Sequence, residues 1–215
     1  MTPGYIDHIT VTAPSLDEGV AYVREALGVA PQAGGAHPRM GTHNRLLRLG
    51  ADLFLEVIAA DPAAAPPSRP RWFQLDDAQY NCRPRLATWV VRVAAIDAAA
   101  AACAFAPGAV EPMTRGALSW RITIPPDGRL ALDGAAPALI EWDVAAHPAA
   151  AMPDLGCSLL GLEVCHPDAG RLRAMLAGLA CAGPVRVAQL EAGAQPYLLA
   201  LIRTPAGVRR LGGPD

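Results

Sequence analysis

Tyr5-Ile-Asp-His-Ile-Thr-Val-Thr12 runs through Ala13-Pro14 into Ser15-Leu-Asp-Glu18. The first eight residues are β-branched or aromatic with a period of two, so they read as a strand. Alternation puts Ile6, His8, Thr10 and Thr12 on one face and Asp7, Ile9 and Val11 on the other. Ser15 followed by Glu18 is a capping box that starts a helix. Leu16, Val20, Val23 and Leu27 then form one apolar stripe, and Gly28 is placed to end the helix in a left-handed turn. Val29 to Ala33 reads as a short strand. The next stretch, residues 34 to 56, begins as a Gly-rich polar loop holding His37, His43 and Asn44. It becomes two apolar strands, Arg45 to Leu49 and Leu53 to Ala60, split by Gly50. Residues 1–60 therefore read as one β-α-β-β-β module.

The same order recurs downstream. Residues 61–86 are a Pro-rich linker with a short helix expected over Trp72 to Cys82, the most aromatic patch of the chain. A strand over Ala87 to Val93, an Ala-rich helix over Ala95 to Ala104, and strands over Ala109 to Thr114, Leu118 to Pro125 and Ala138 to Val144 make a second module, 87–145. After a break at Ala145 to Asp154, residues 155–215 form a third, shorter β-α-β-β-(β) module. Its helix opens at Pro167-Asp168 and its last strands lie near Tyr197 to Arg203 and Val208 to Leu211. This internal repeat is the main structural signal. The expected class is α+β, with repeated modules forming a curved, mostly antiparallel sheet around a concave cavity and helices on the outside.

Superposing the helix starts, Asp17 on Asp97, puts His8 on Thr88. Superposing the final strands, Leu-Phe-Leu-Glu56 on Ala-Leu-Ile-Glu141, gives both modules one acid at one place. A lone carboxylate in an apolar strand is costly unless it is paired, hydrogen-bonded or metal-bound. His8, Glu56 and Glu141 then converge on the concave face, a set suited to a divalent metal with open positions. Two alternatives stand beside this: His8 as a hydrogen-bonded core histidine, and the two acids as partners of Arg45, Arg48 or Arg121. His37, His43 and Asn44 read equally as turn chemistry or as substrate contacts at the cavity mouth, with His37 a general acid or base.

Composition narrows the function classes. The chain of 215 residues has a net charge of -2 and no basic run, so nucleic acid is not an expected partner. All 18 basic residues are Arg, which excludes Schiff-base lysine chemistry and a phosphate-loop lysine. No dinucleotide fingerprint or nucleophile elbow occurs, so no nucleotide cofactor is expected. No apolar run reaches membrane length. The five cysteines form no Cys-x-x-Cys, and the N-terminus enters a strand without a leader pattern, so a cytoplasmic protein with reduced thiols is expected.

Ile6-Asp7-His8-Ile9, the Ser15-Leu-Asp helix start, the Gly-Gly-Ala-His37-Pro-x-x-Gly-Thr-x-Asn44 segment and Leu-Phe-Leu-Glu56 resemble the vicinal oxygen chelate superfamily, most closely its glyoxalase-like subgroup. The resemblance extends to Leu-Ile-Glu141-Trp and is one of pattern only over 155–211. It implies paired β-α-β-β-β modules around a metal-centred cavity, in a superfamily of isomerases, lyases, epimerases, dioxygenases and metal-free binding proteins. By position it implies His8, Glu56 and Glu141 as ligands of Zn, Ni, Mn or Fe, with Thr88 where a fourth ligand usually stands. Glu141 or His37 would act in proton transfer, and His37, His43, Asn44 and Thr88 would contact substrate. The expected partner is a small molecule, with a homodimer as a further expectation. The rival function is metal-free small-molecule binding in the same cavity.

Overall fold

The computed structural model describes residues 3–144 and 146–214. Met1, Thr2, Ala145 and Asp215, at the edges of the expected modules, lie outside the described residues. The order is β1 (Tyr5–Thr12), α1 (Leu16–Leu27), β2 (Gln32–His37), β3 (Thr42–Arg48), β4 (Phe54–Ala60), β5 (Arg85–Arg92), α2 (Ile96–Ala102), β6 (Ala109–Arg115), β7 (Leu118–Ile124) and β8 (Ala138–Trp142). It continues with β9 (Ser158–His166), α3 (Ala169–Gly178), β10 (Val185–Gln189), β11 (Tyr197–Thr204) and β12 (Gly207–Gly212). Eight strands form one sheet in the order β2-β3-β4-β1-β5-β8-β7-β6, curled into a half-barrel, and the last four form a second sheet in the order β10-β9-β11-β12.

The centre of the large sheet is the antiparallel β1–β5 pair, flanked by the parallel pairs β1–β4 and β5–β8. His8 lies opposite Val90 and Thr10 opposite Thr88. Exchanging His8 for Thr88 and Thr10 for Val90 maps these two pairs onto each other, so a local two-fold relates the first strands of the modules. Convex-side residues of this sheet, α1 and the four-stranded sheet share one apolar core that includes Ile9, Leu55, Trp89, Leu139, Leu162 and Ile202. The third unit thus covers the back of the half-barrel, with Gly212 N–H donating to the Tyr22 hydroxyl at 3.1 Å. Among the described residues no helix is long and apolar enough to cross a membrane.

The two main helices start by different means. Ser15 accepts from Glu18 N–H and donates to the Glu18 carboxylate at 2.8 Å, while Gly28 ends α1 at φ 72. α2 has Ala95 at its N-cap, which offers no side-chain acceptor. Glu141 reaches over from β8 instead, and its Oε2 accepts Ile96 N–H at 2.6 Å. Its Oε1 accepts Arg121 Nη2–H at 2.8 Å.

Three sequence expectations are corrected here. Residues 34 to 44 are not a loop: β2 extends through His37 and a tight hairpin turns directly into β3. No helix forms over Trp72 to Cys82, because Phe73 and Gln74 take left-handed φ values of 55 and 57, which a right-handed helix cannot contain. The segment is instead a strap of turns whose Trp72, Phe73 and Leu75 are buried with Met113, Ile122 and Ile140. Finally, a bulge at Asp7 breaks the alternation of β1, since Ile6 and His8 face consecutive residues of β5. Asp7 therefore leaves the face of Ile9 and Val11 and joins His8.

Ser15→Ala and Glu141→Ala should each destabilise the protein by about 1 kcal/mol, the usual worth of an N-cap acceptor. Urea unfolding of the two single variants measures both. An unchanged midpoint for Glu141→Ala would show that α2 does not depend on the borrowed cap.

Candidate functional site

A recess opens on the concave face between the two modules and is lined by His8, His37, Asn44, Glu56 and Arg115 among apolar walls. Each polar group is held by identifiable neighbours. On β1, buried Asp7 accepts three donors: His8 Nδ1 at 2.7 Å, His147 Nε2 at 2.9 Å and Trp142 Nε1 at 2.8 Å. Ala149 N–H donates to His147 Nδ1 at 3.2 Å, so the His147 proton sits on Nε2 and points at Asp7. Burial pushes the Asp7 carboxyl up, but the hydrogen bonds from His147 and His8 and the charges of those rings outweigh it and hold it below the usual range. With its Nδ1 turned to Asp7, the His8 ring directs its Nε2 into the recess. Glu56 Oε2 lies 3.8 Å from that nitrogen, and Phe54 stacks on the imidazole at 4.7 Å between centroids.

The other side of the recess is built from β2, β3 and the β6–β7 hairpin. Asn44 Nδ2 donates to Glu56 Oε1 at 2.7 Å, and its Oδ1 accepts Gly35 N–H at 2.8 Å. Gly34 and Gly35 form a bulge opposite Asn44. A Cβ on Gly34 would lie 2.1 Å from Asn44 Oδ1, and one on Gly35 would lie 2.9 Å from Arg115 Cδ. The Gly-Gly pair is thus the space in which Asn44 and Arg115 sit. Arg115 Nη1 donates to His37 Nε2 at 3.1 Å and to Asn44 Oδ1 at 3.3 Å. The opposite ring nitrogen, His37 Nδ1, donates to Thr42 Oγ1 at 3.1 Å, which also accepts Trp72 Nε1–H at 3.2 Å. Burial first, then the charge of Arg115, then His8 and His43, bring the His37 pKa down to about 3. His37 is a neutral acceptor for Arg115.

The expected residues separate into two groups. His8, Glu56, His37 and Asn44 meet in the recess. Glu141, Thr88 and His43 do not join them. Parallel register sets Glu56 opposite Thr10 and Ala138 opposite Val90, so Ala138 holds the place equivalent to Glu56. Glu141 is three residues further along, and an odd displacement puts it on the other face, toward α2. Ile140 and Trp142, its neighbours, line the recess. Thr88 lines a different hollow, with Thr123 and Leu130, beyond Trp72 and Phe73. His43 alternates out of the recess between Thr42 and Asn44 and lies 3.9 Å from Asp61. Sequence reasoning missed Asp7, Trp142, His147 and Arg115. The bulge concealed Asp7, and the other three reach the site from distant segments with no local signal.

Comparison with known proteins gives a match to the glyoxalase-like domain family over residues 6–180. The chain belongs to that family. Its architecture is that of the vicinal oxygen chelate superfamily. A hypothetical protein from Staphylococcus aureus, 12% identical, superposes with a TM-score of 0.64 over 99% of both chains. The third unit is therefore part of a fold shared at full length. Methylmalonyl-CoA epimerase (21% identity, TM-score 0.45, 68% of this chain and 100% of that one) is also similar. So is a variant of 4-hydroxymandelate synthase from Streptomyces coelicolor (22%, 0.49, 96% and 61%). No curated protein matched the chain.

Members of the superfamily typically hold a divalent metal in this cavity. His8 Nε2 and Glu56 Oε2 are two donors facing one recess. The second module contributes Ala138 where a third would stand, and Glu141 is engaged at α2. Among the described residues no three His, Cys, Asp or Glu side chains gather in a way that could hold a metal ion. A protein-held ion ordinarily takes three or four such ligands, so this glyoxalase-like site does not fit the group.

Two predictions follow from this geometry. The folded protein keeps His37 neutral to about pH 3, whereas the unfolded chain protonates it near 6.5. No cost arises above 6.5; below it the unfolded chain binds a proton that the fold refuses, so stability falls as pH drops. The loss is about 2 kcal/mol by about pH 5, before Asp7 adds its own loss below 3.8. His37→Gln should flatten that decline in urea unfolding at about pH 7 and pH 5, and an equal decline in both proteins would contradict it. Gly34→Ala should cost about 1–3 kcal/mol by forcing Asn44 from its seat, measurable as a lowered Tm.

Proposed function

We propose that this glyoxalase-like protein is a small-molecule enzyme that moves a proton on its substrate, with His8 as the acid–base group. The observation that carries this reading is the His8 ring, fixed by Asp7 with its Nε2 facing an apolar recess beside Glu56. A carboxylate that orients an imidazole and stabilises its protonated form is a recurrent device for proton transfer. At 3.8 Å His8 and Glu56 are too far apart to hydrogen-bond, so one substrate atom or water bridges both. His8 Nε2 takes the proton from a carbon adjacent to a carbonyl, and the C–H electron pair moves onto the carbonyl oxygen. Return of the proton, from His8 or through Glu56, to the same or a neighbouring carbon completes an isomerisation or epimerisation with no net reactant. Asn44 holds Glu56 in place by its 2.7 Å hydrogen bond.

The rival reading, metal-free binding without turnover, draws on the aromatic walls, where Trp120 and Trp142 lie 5.3 Å apart. The two readings differ in one measurement. Wild-type protein treated with chelator should exchange C–H for deuterium in a panel of small ketones and α-keto acids in D2O, followed by NMR. His8→Gln should slow exchange by about 100-fold or more, with a smaller loss for Asp7→Asn. Binding without exchange, or exchange equal in wild type and His8→Gln, would sink the enzyme reading; exchange that depends on added metal would overturn the metal-free chemistry.

A further inference from the structure

The cation at the mouth of the recess has a use that the proton-transfer chemistry leaves open. Arg115 ends β6 and crosses from the second module to β2 of the first. Its Nη1 is spent on His37 and Asn44, two neutral groups. Among the described residues no carboxylate forms an ion pair with it. By contrast, Arg39 and Arg69 both bind Glu111, and Arg121 binds Asp97 and Glu141. Among the described residues Arg115 Nη2–H and Nε–H are therefore uncommitted, on the edge of a recess whose walls are mainly apolar and whose one acid is Glu56.

The seat of this guanidinium is built. Gly35 leaves the room through which its stem passes. His37 offers a lone pair because its proton is held on the side of Thr42, which the Trp72 indole N–H secures in turn. Asn44 turns its carbonyl oxygen to Arg115 and its amide N–H to Glu56, so the amide insulates the cation from the one acid of the recess. A planar fork held on one nitrogen and free on the rest is the geometry that receives a carboxylate.

We propose that the substrate class is a carboxylate with an apolar or aromatic body, its anionic end on Arg115 and its body against Phe54, Trp120 and Trp142. The proposal deepens the acid–base reading, since it places the carbon to be deprotonated between an anchored carboxylate and His8. Arg115 is then a specificity-determining residue.

The test uses the full chain with phenylacetate and its neutral counterpart phenylacetamide, binding being followed by quenching of tryptophan fluorescence. Wild type should bind phenylacetate at least about tenfold more tightly than the amide. Arg115→Gln should bring that ratio near one by weakening phenylacetate binding, and Arg115→Lys, which keeps charge without the fork, should restore part of the preference. Equal binding of the two probes by wild type would overturn the proposal. So would a preference that survives in Arg115→Gln; should that variant not fold, a full preference in Arg115→Lys would count against the fork. His8→Gln separates this inference from the reading beneath it. Retained carboxylate preference in His8→Gln, together with absent proton exchange in wild type, refutes the enzyme and leaves the ligand class standing.

Discussion

A carboxylate with no exposed surface, Asp7, is the constraint around which the site is arranged. Burying that charge without partners would cost several kcal/mol. Three ring N–H groups satisfy it, and they come from three places: His8 on β1, Trp142 at the end of β8, and His147 in the segment that follows. The requirement therefore ties the first module to the end of the second and to the connection leaving it. It also sets the proton position on both histidines, and with it the direction in which His8 can act.

The two modules share a backbone plan and differ in chemistry. In the first, Ser15 caps its own helix, which leaves the final-strand acid free to face the recess. In the second, Ala95 supplies no cap, and the final-strand acid is consumed by the helix start. One acid thus serves the cavity and the other serves the fold, and the face each points to follows from strand parity. The strap carrying Trp72 and Phe73 adds a further asymmetry. Trp72 and Phe73 stand between two hollows and line both, which separates the recess holding His8 from the one holding Thr88. The left-handed pair at Phe73 and Gln74 costs on the order of 1–3 kcal/mol each, offset by burial of these aromatic rings in the half-barrel.

The Gly-Gly-Ala-His37-Pro segment shows how a short motif can be read correctly for place and wrongly for shape. It resembles a flexible loop because glycines cluster with polar residues. In the folded chain it is an edge strand with a bulge, and the missing side chains are filled by Asn44 from β3 and Arg115 from β6. The glycines mark close approach by other side chains, which is a tertiary fact with a sequence trace.

Local chemistry in the sequence was sufficient for the order of strands and helices, the cap at Ser15, the turn at Gly28 and the repeat of the β-α-β-β-β unit. It also put His8 and Glu56 within reach of each other through the repeat, whereas His37 and Asn44 were tied to them by the family resemblance alone. Tertiary structure decided the rest. A one-residue bulge turned Asp7 to the side of His8, and an odd displacement turned Glu141 away from Glu56; neither changes composition or hydrophobic pattern, so the sequence carries no sign of them. Arg115 reaches Asn44 in the recess from 71 residues away along the chain, and His147 reaches the buried Asp7 from 140. Only the curl of the sheet and the burial of a charge put them there, since contacts at that separation are chosen by packing and charge satisfaction, not by neighbouring residues.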